Sequence, residues 1–371
     1  ADASAETVYE RLVQFAPGST RIIPALAESW EISADGLTYT FTLRKGVKFH
    51  QTPWFTPSRE LNADDVLWSF QRQRDKEHDW HELAPRGFPY FEAMGFAELI
   101  AEIEALDEHR VRFTLKHPEA PFLADLAMGF TSIYSAEYAE QLLDAETPEK
   151  LNSQPIGTGP FVFERYAKDA QVRYKANPDY FAGKPAVDGL IFAITPDANV
   201  RLQKLRRGEC QIALSPKPLD VGQARQDSNL RVVETPAFMT AFVALNTEHK
   251  PLDNPKVREA LNLAFDRATY LKVVFDNTAT AANNPYPPNT WSYAKDLAPY
   301  PYDPAKAKQL LAQAGYPNGL TLRLKPAALP YATKSAQVIA SQLKEVGITA
   351  QIEDRESLRE NERRYRLLAE S

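Results

Sequence analysis

The chain has 371 residues, of which 44% are hydrophobic and 25% are charged. The length fits two or three domains. The proportions are typical of a folded protein, and they exclude a disordered, collagen-like or coiled-coil chain. The net charge of -6 gives no general attraction for nucleic acid or an anionic membrane surface, so no nucleic-acid partner is expected. No run approaches the roughly 18 apolar residues of a membrane span.

Cys210 is the only cysteine, which excludes an internal disulfide and a cysteine-rich metal site. A buried small apolar residue is the simplest interpretation. The chain opens on ADASAETVYERL without an initiator methionine or an apolar leader, so we expect a processed or trimmed chain.

In the first part of the chain, apolar spacing predicts a helix from Val8 to Phe15. A hairpin with an Asp35-Gly36 turn follows. Its second strand alternates, which places three apolar side chains on one face: Tyr39, Phe41 and Leu43.

Asn62 is expected to cap the next helix, VLWSFQRQRD, with Asp64 and Asp65 in its first turn. A second hairpin is predicted from Ile103 to Leu115, and two short helices after it, PFLADLAMGF and SAEYAEQLLDA. The glycines and prolines of PIGTGPF then indicate a crossover loop rather than the interior of an element.

The rest of the chain predicts an α/β class. Paired strands are expected in PFVFERYAKDAQVRYKAN and a strand in VDGLIFAIT, followed by a helix ending at Gly208. CQIALS would be a strand of a layer with a parallel component, and RVVETPAFMTAFVALN would give two strands around Pro236. Helices are then expected, with helical apolar spacing in NPKVREALNLAFDRATYLKVVF and a capped helix between Asp303 and Gly315. LTLRLKPA, KSAQVIASQLKEVGI and TAQIEDR then read as strand, helix and strand, and SLRENERRYRLLAES as a charged helix.

No pattern of chemistry stands out. The phosphate-loop, nucleophile-elbow and HExxH motifs are absent. His78, Asp79 and His81 can form at most part of a metal site, and a solvated loop is the better interpretation, so no metal and no cofactor are expected. Asp64 and Asp65 can be an acid/base pair, but helix capping explains them better.

Aromatic residues in loops are the more informative feature. They can anchor lobes to each other or line a ligand cleft, and together they favour a protein that binds rather than catalyses. The residues are Trp54-Phe55, Phe88, Tyr90-Phe91 and Trp291-Tyr293.

Five segments in fixed order carry a family resemblance: PALAESWEISADGLTYTFTLRKGVKFH, ELNADDVLWSFQR, EAPFLADLAM, PIGTGPF and KPLDNPKVREALNLAFDR. The chain resembles the oligopeptide/dipeptide/nickel family of extracytoplasmic solute-binding proteins that serve ABC importers. Its dipeptide-binding members are most similar, followed by Sap-type and haem-binding members. The resemblance reaches about Asp354.

The resemblance implies an α/β, periplasmic-binding-protein-like bilobal fold with an extra α+β domain, incomplete at both termini. The implied domains are 1–7 as a remnant of the first lobe, 8–154 as the extra domain, 155–236 as the first lobe and 237–371 as the second, ligand-side lobe. Cys210 resembles one half of a disulfide whose partner lies in a preceding strand that this chain lacks. That pairing implies an oxidising, periplasmic or extracytoplasmic compartment.

By the same resemblance, the protein binds a peptide or related small solute by hinged closure and delivers it, as a monomer, to an inner-membrane ABC permease. It is not expected to be an enzyme. Pro330-Tyr331 matches a family motif, but Leu329 stands where dipeptide binders have an arginine for the peptide carboxylate. A longer peptide, an apolar solute or a haem-like molecule therefore stays open.

The predicted ligand-binding residues are Tyr331, Trp291, Phe238, Met239, Thr240, Phe88, Tyr90 and Phe91. Two other classes of function are alternatives. One is a hydrolytic enzyme that uses Asp64 and Asp65, and the other is a non-binding interaction module.

Overall fold

The computed structural model describes residues 6–84, 87–288, 290, 292–327 and 331–353. The chain divides into two compact units, unit 1 (Ala1–Thr195) and unit 2 (Pro196–Ser371). The lobe boundaries after residues 154 and 236 stay predictions.

Unit 1 is built from three antiparallel sheets and short helices, within the described residues. The sheets have the strand orders β1-β2, β3-β4-β6-β5 and β7-β8-β9. The strands are β1 (Val13–Phe15), β2 (Ile22–Pro24), β3 (Ala27–Ile32), β4 (Thr38–Leu43), β5 (Ile100–Asp107), β6 (Arg110–Leu115), β7 (Phe161–Ala167), β8 (Gln171–Ala176) and β9 (Gly189–Ala193). The helices are α1 (Ala63–Arg74), α2 (Asp79–Glu82), α3 (Pro89–Ala93), α4 (Phe96–Leu99), α5 (Phe122–Asp125), α6 (Ala136–Asp144) and α7 (Lys150–Ser153), with a 3₁₀ turn at Gly129–Thr131.

The four-stranded sheet buries the face that the alternating pattern predicts. Tyr39, Phe41 and Leu43 on β4 are all buried, which confirms the period of two. The Phe41 ring meets Phe113 of β6 edge-on, with centroids 5.7 Å apart. Aromatic packing of this kind adds to the free energy gained by burying the rings. Both predicted hairpins of this sheet are present.

Helix α1 begins as predicted. The Asn62 side chain accepts a hydrogen bond from the Asp64 amide, and the Asp65 carboxylate accepts one from the Asn62 amide. This reciprocal arrangement satisfies amide groups that the first turn of a helix otherwise leaves without partners.

The predicted helix from Val8 to Phe15 is wrong. Val13–Phe15 is strand β1, paired with β2. The Val8 carbonyl accepts a hydrogen bond from the amide of Gly159, 2.8 Å away, and a Cβ at Gly157 would lie 2.1 Å from that carbonyl oxygen. Apolar spacing suits a helix here, but pairing of an extended backbone with distant segments overrides it. The PIGTGPF segment is a crossover loop, as predicted.

Unit 2 has one parallel strand pair, β10 with β11, among its described residues. The pair is connected by a helix, as the strand, helix and strand prediction requires. The elements of unit 2 are α8 (Ala198–Arg206), α9 (Pro218–Gln226), α10 (Pro255–Leu263), α11 (Arg267–Phe275), α12 (Pro304–Gln313), β10 (Leu320–Leu324), α13 (Ala332–Glu345) and β11 (Ile348–Ile352). Asp303 caps α12 as predicted, accepting a hydrogen bond from the Lys306 amide.

The segment after Asn254 is helical as predicted, and it forms two helices because Asp266 caps α11 through the Thr269 amide. Two strand predictions in unit 2 are wrong. The segments CQIALS and RVVETPAFMTAFVALN contain no strand, because no described strand pairs with them. Ile212 and Phe242 in these segments are 77% and 81% exposed. The predicted charged helix at the end of the chain lies outside the described residues.

In the part of the chain that the structure describes, no helix is both long enough and apolar enough to cross a membrane.

Candidate functional site

An arginine held by three aromatic rings is the most distinctive feature of unit 1. The guanidinium carbon of Arg72 lies 4.2 Å from the ring centroid of Tyr134, 5.2 Å from that of Trp68 and 5.4 Å from that of Phe88. Each distance is within the range of a cation-π interaction. We call Trp68, Arg72, Phe88 and Tyr134 the Arg72 cage.

Local structure places the cage residues. Trp68 and Arg72 are four residues apart on α1 and so lie on the same face of that helix. Tyr134 is fixed because its amide donates a hydrogen bond to the hydroxyl of Ser69, at 2.9 Å. Phe88 immediately precedes α3 as its N-cap residue, and it packs against the core of unit 1.

More aromatic and titratable groups surround the cage. The Tyr9 ring is 4.3 Å from that of Tyr134, and burial, with a smaller contribution from Tyr134, raises the pKa of Tyr9 well above its usual value. Burial also lowers the pKa of His78, against the opposing effect of the carboxylates of Asp75 and Asp79. Burial therefore disfavours the phenolate form of Tyr9 and the protonated form of His78.

Apart from the three rings, the Arg72 guanidinium has no ion-pair or hydrogen-bond partner among the described residues. No carboxylate of the described chain makes an ion pair with Arg72 within 4.0 Å. Its Nε atom is buried and has no hydrogen-bond partner there. The site therefore offers N–H donors and aromatic faces but no acid that neutralises the guanidinium.

The predicted ligand residues of unit 1 occupy different environments. Phe88 belongs to the Arg72 cage. Tyr90 is 63% exposed and stacks on Phe130, with centroids 6.4 Å apart. Phe91 is only 1% exposed and packs in the core, so it has almost no surface for direct ligand contact. Among the other loop aromatics, Phe55 is buried against Tyr138, which makes it an anchor of the fold.

The predicted ligand residues of unit 2 lie in two places. Phe238 and Met239 are 52% and 66% exposed, and Thr240 is partly buried beside them in the chain. The partly buried Tyr331 precedes α13, with its ring 5.3 Å from that of Phe275. Trp291 lies outside the described residues. Ligand contact by any of these side chains stays a prediction.

The alternative sites are occupied by structural interactions. The His78 Nδ1 atom accepts a hydrogen bond from the Trp80 amide, and the His81 Nδ1 atom lies 3.0 Å from the Arg72 carbonyl. No cluster of three or more His, Cys, Asp or Glu side chains suited to a metal ion occurs among the described residues. Cys210 is a free, partly buried cysteine.

Sequence reasoning did not single out Arg72. The Trp68 and Arg72 pair at helical spacing was a usable signal, because a planar cation four residues from an indole on one helix face can stack on it. Tyr134 and Phe88 come from distant or irregular segments, so no local pattern links them to α1.

Comparison with known proteins agrees with the fold. Residues 21–367 match the family described as bacterial extracellular solute-binding proteins, family 5 Middle. A probable di/tripeptide-binding protein 5 of Pseudomonas aeruginosa is 59% identical over 95% of this chain and 67% of its own length. Heme-binding protein A of Haemophilus influenzae is 48% identical over 94% of this chain and 64% of its own length.

A solved structure is also similar to this chain in its backbone fold. The periplasmic binding protein DppA of Helicobacter pylori, in complex with the peptide STSA, superposes with a TM-score of 0.88 at 40% identity. The match covers 95% of this chain and 69% of that one. The chain thus spans about two thirds of the length of these relatives. Its sequence and its α/β fold show that the chain belongs to family 5 of the bacterial extracellular solute-binding proteins.

Proposed function

We propose that the protein binds a short peptide outside the cytoplasm and delivers it to an ABC importer without altering it chemically. The observation that carries the proposal is the 59% identity to a probable di/tripeptide-binding protein. The DppA structure, which contains a peptide, supports the same class of ligand. The proposal includes a periplasmic location and a monomeric protein, which cell fractionation and light scattering would test.

The proposed ligand-contacting residues come from the set that the sequence predicts. They are Phe88, Tyr90, Phe238, Met239, Thr240, Trp291 and Tyr331. Aromatic rings and the flexible methionine side chain accommodate apolar ligand groups of varied shape. Phe91 is left out of this set because it is buried.

A binding role without catalysis also fits the one carboxylate pair that was a catalytic candidate. The Asp65 carboxylate is fully buried and accepts hydrogen bonds from Arg59, Asn62 and Ala136. A carboxylate with its acceptor sites already occupied is poorly placed to take a proton from a substrate. This supports the proposal that the protein is not an enzyme.

Haem or another flat apolar solute is the second candidate ligand. It is favoured by the 48% identity to heme-binding protein A and by the exposed apolar side chains Phe238, Met239 and Phe242. A flat macrocycle buries its faces well against such side chains.

Calorimetry with the tetrapeptide Ser-Thr-Ser-Ala, the dipeptide Met-Leu and haemin tests both candidates. We expect saturable, one-to-one binding of at least one peptide and weaker binding of haemin. Haemin binding without peptide binding would favour the second candidate, and no binding of any of the three would overturn the proposal. If ligand capture involves hinged closure, peptide should also decrease the radius of gyration in solution scattering.

A further inference from the structure

We infer that Arg72 binds an anionic group of the solute, with a carboxylate as the expected chemistry. This inference rests on the proposed function, because it assigns one recognition contact within it. It starts from a guanidinium that three rings hold in place and that no described acid neutralises.

The donors of Arg72 are the first step of the argument. A guanidinium carries five N–H donors and accepts no hydrogen bond. In the described residues the Arg72 side chain donates none of them to a protein acceptor, and its Nε atom is shielded from solvent. The two Nη groups are not among the buried atoms without a partner, so they reach solvent and can donate to an anion that enters from outside.

Other arginines of unit 1 show what Arg72 lacks. Arg59 donates to Asp65 and Arg112 donates to Glu104, each over 2.7 Å. Arg74, on the same helix as Arg72, donates to the carbonyl of Ala101, also over 2.7 Å. These three arginines thus find protein acceptors for their N–H groups, whereas Arg72 finds none within the described chain.

The rings explain why the guanidinium is suited to recognition. Contact with Trp68, Phe88 and Tyr134 restricts the side chain before a ligand arrives, so less conformational entropy is lost on binding. Rings that cover a guanidinium leave its in-plane N–H groups as the donors, and these match the two oxygens of a carboxylate. Asp75 and Asp79 influence His78, but neither forms an ion pair with Arg72 within 4.0 Å.

The test compares Met-Leu with its C-terminal amide, which removes the carboxylate charge and little else. We expect the wild-type protein to prefer the free acid by about tenfold or more, the strength of a hydrogen-bonded charge pair. Arg72→Gln should remove this preference while the amide binds as before. Arg74→Gln, which removes the neighbouring guanidinium, should keep the preference.

Thermal unfolding checks that each variant folds. If Arg72→Gln does not fold, Arg72→Met takes its place, because the methionine side chain retains an apolar stem that can pack against the rings. A preference for the acid that persists in a folded Arg72 variant would overturn this inference and leave the proposed function standing. Equal binding of acid and amide by the wild-type protein would do the same. No binding of either peptide by the wild-type protein would instead count against the proposed function itself.

Discussion

Arg59 clamps Asp65 with both ends of its guanidinium, at 2.7 Å and 2.9 Å from the two carboxylate oxygens. The same carboxylate accepts hydrogen bonds from the amides of Asn62 and Ala136. One buried side chain thus fixes the start of α1, the loop before it and the first turn of α6.

Replacing Asp65 should therefore be strongly destabilising. We expect Asp65→Asn to lower the free energy of unfolding by about 2 kcal/mol, because the partly exposed Arg59 guanidinium loses the charged partner that the buried Asp65 provides. Asp64→Asn, one residue away and exposed, is the matched control and should change it by about 0.5 kcal/mol. Urea denaturation followed by circular dichroism measures both. Similar losses in the two variants would contradict this role of Asp65.

Gly157 should tolerate no side chain. A Cβ there would lie 2.1 Å from the Val8 carbonyl oxygen, so Gly157→Ala must move backbone on one side or the other. We expect a loss of about 3 kcal/mol, at the upper end of overpacking effects. Gly222→Ala is the control, because its nearest neighbour is the Asp276 carboxylate at 4.0 Å and it lies inside helix α9. That variant should be more stable to unfolding by up to about 1 kcal/mol, because alanine has a higher helix propensity than glycine. An unchanged free energy of unfolding in Gly157→Ala would show that the backbone around Gly157 and Val8 is not tightly packed.

His50 should make the fold sensitive to acid. Burial lowers the pKa of His50 to about 4, while its Nε2–H group donates to the Gly159 carbonyl over 2.8 Å. Because the folded state binds this proton less readily than the unfolded state, the stabilisation is complete above about pH 6.5 and is lost as the pH falls towards 4. The loss is of the order of 3 kcal/mol.

His50→Gln, which retains a donor near Gly159, should flatten this dependence. Urea midpoints between pH 4 and 7 measure the slope, and the exposed His117 provides the control substitution His117→Gln, which should leave it unchanged. An equal slope in wild type and His50→Gln would assign the acid sensitivity to other groups.

Asp125 should act in the opposite direction. Burial, helped by the nearby Glu119 charge, raises the pKa of Asp125 to about 6. Its folded state holds the proton more tightly than the unfolded state, so stability falls as the pH rises from about 4 through 6. Asp125→Asn should therefore raise the melting temperature more at pH 8 than at pH 4. Asp144→Asn, at an exposed position, is the control substitution. An equal shift of the melting temperature at both pH values in Asp125→Asn would contradict the raised pKa of Asp125.

The sequence predicted those elements whose signal is local. Tyr39, Phe41 and Leu43 alternate because one face of a sheet is buried, and Asn62 and Asp303 cap helices through groups two or three residues away. Such patterns depend on period and capping chemistry and need no knowledge of distant contacts.

The errors occur where distant partners decide the structure. The segment from Val8 has helical spacing, but its backbone pairs with Gly159 and β2. RVVETPAFMTAFVALN has strand composition, but no described strand lies beside it, and composition cannot supply a partner. The Arg72 cage was missed for the same reason, because Tyr134 reaches α1 only through the tertiary fold.

The segment that begins at Val8 joins two hydrophobic clusters. Val8 and Tyr9 pack with Phe163 and Tyr174 of the three-stranded sheet, while Leu12 and Val13 pack in the larger cluster around the four-stranded sheet. If this segment detached from one sheet, its contacts with the other sheet would also be disturbed, and apolar side chains of both clusters would be exposed to water. The two sheets should therefore melt in one transition, and their slowest-exchanging amides should share a single opening free energy.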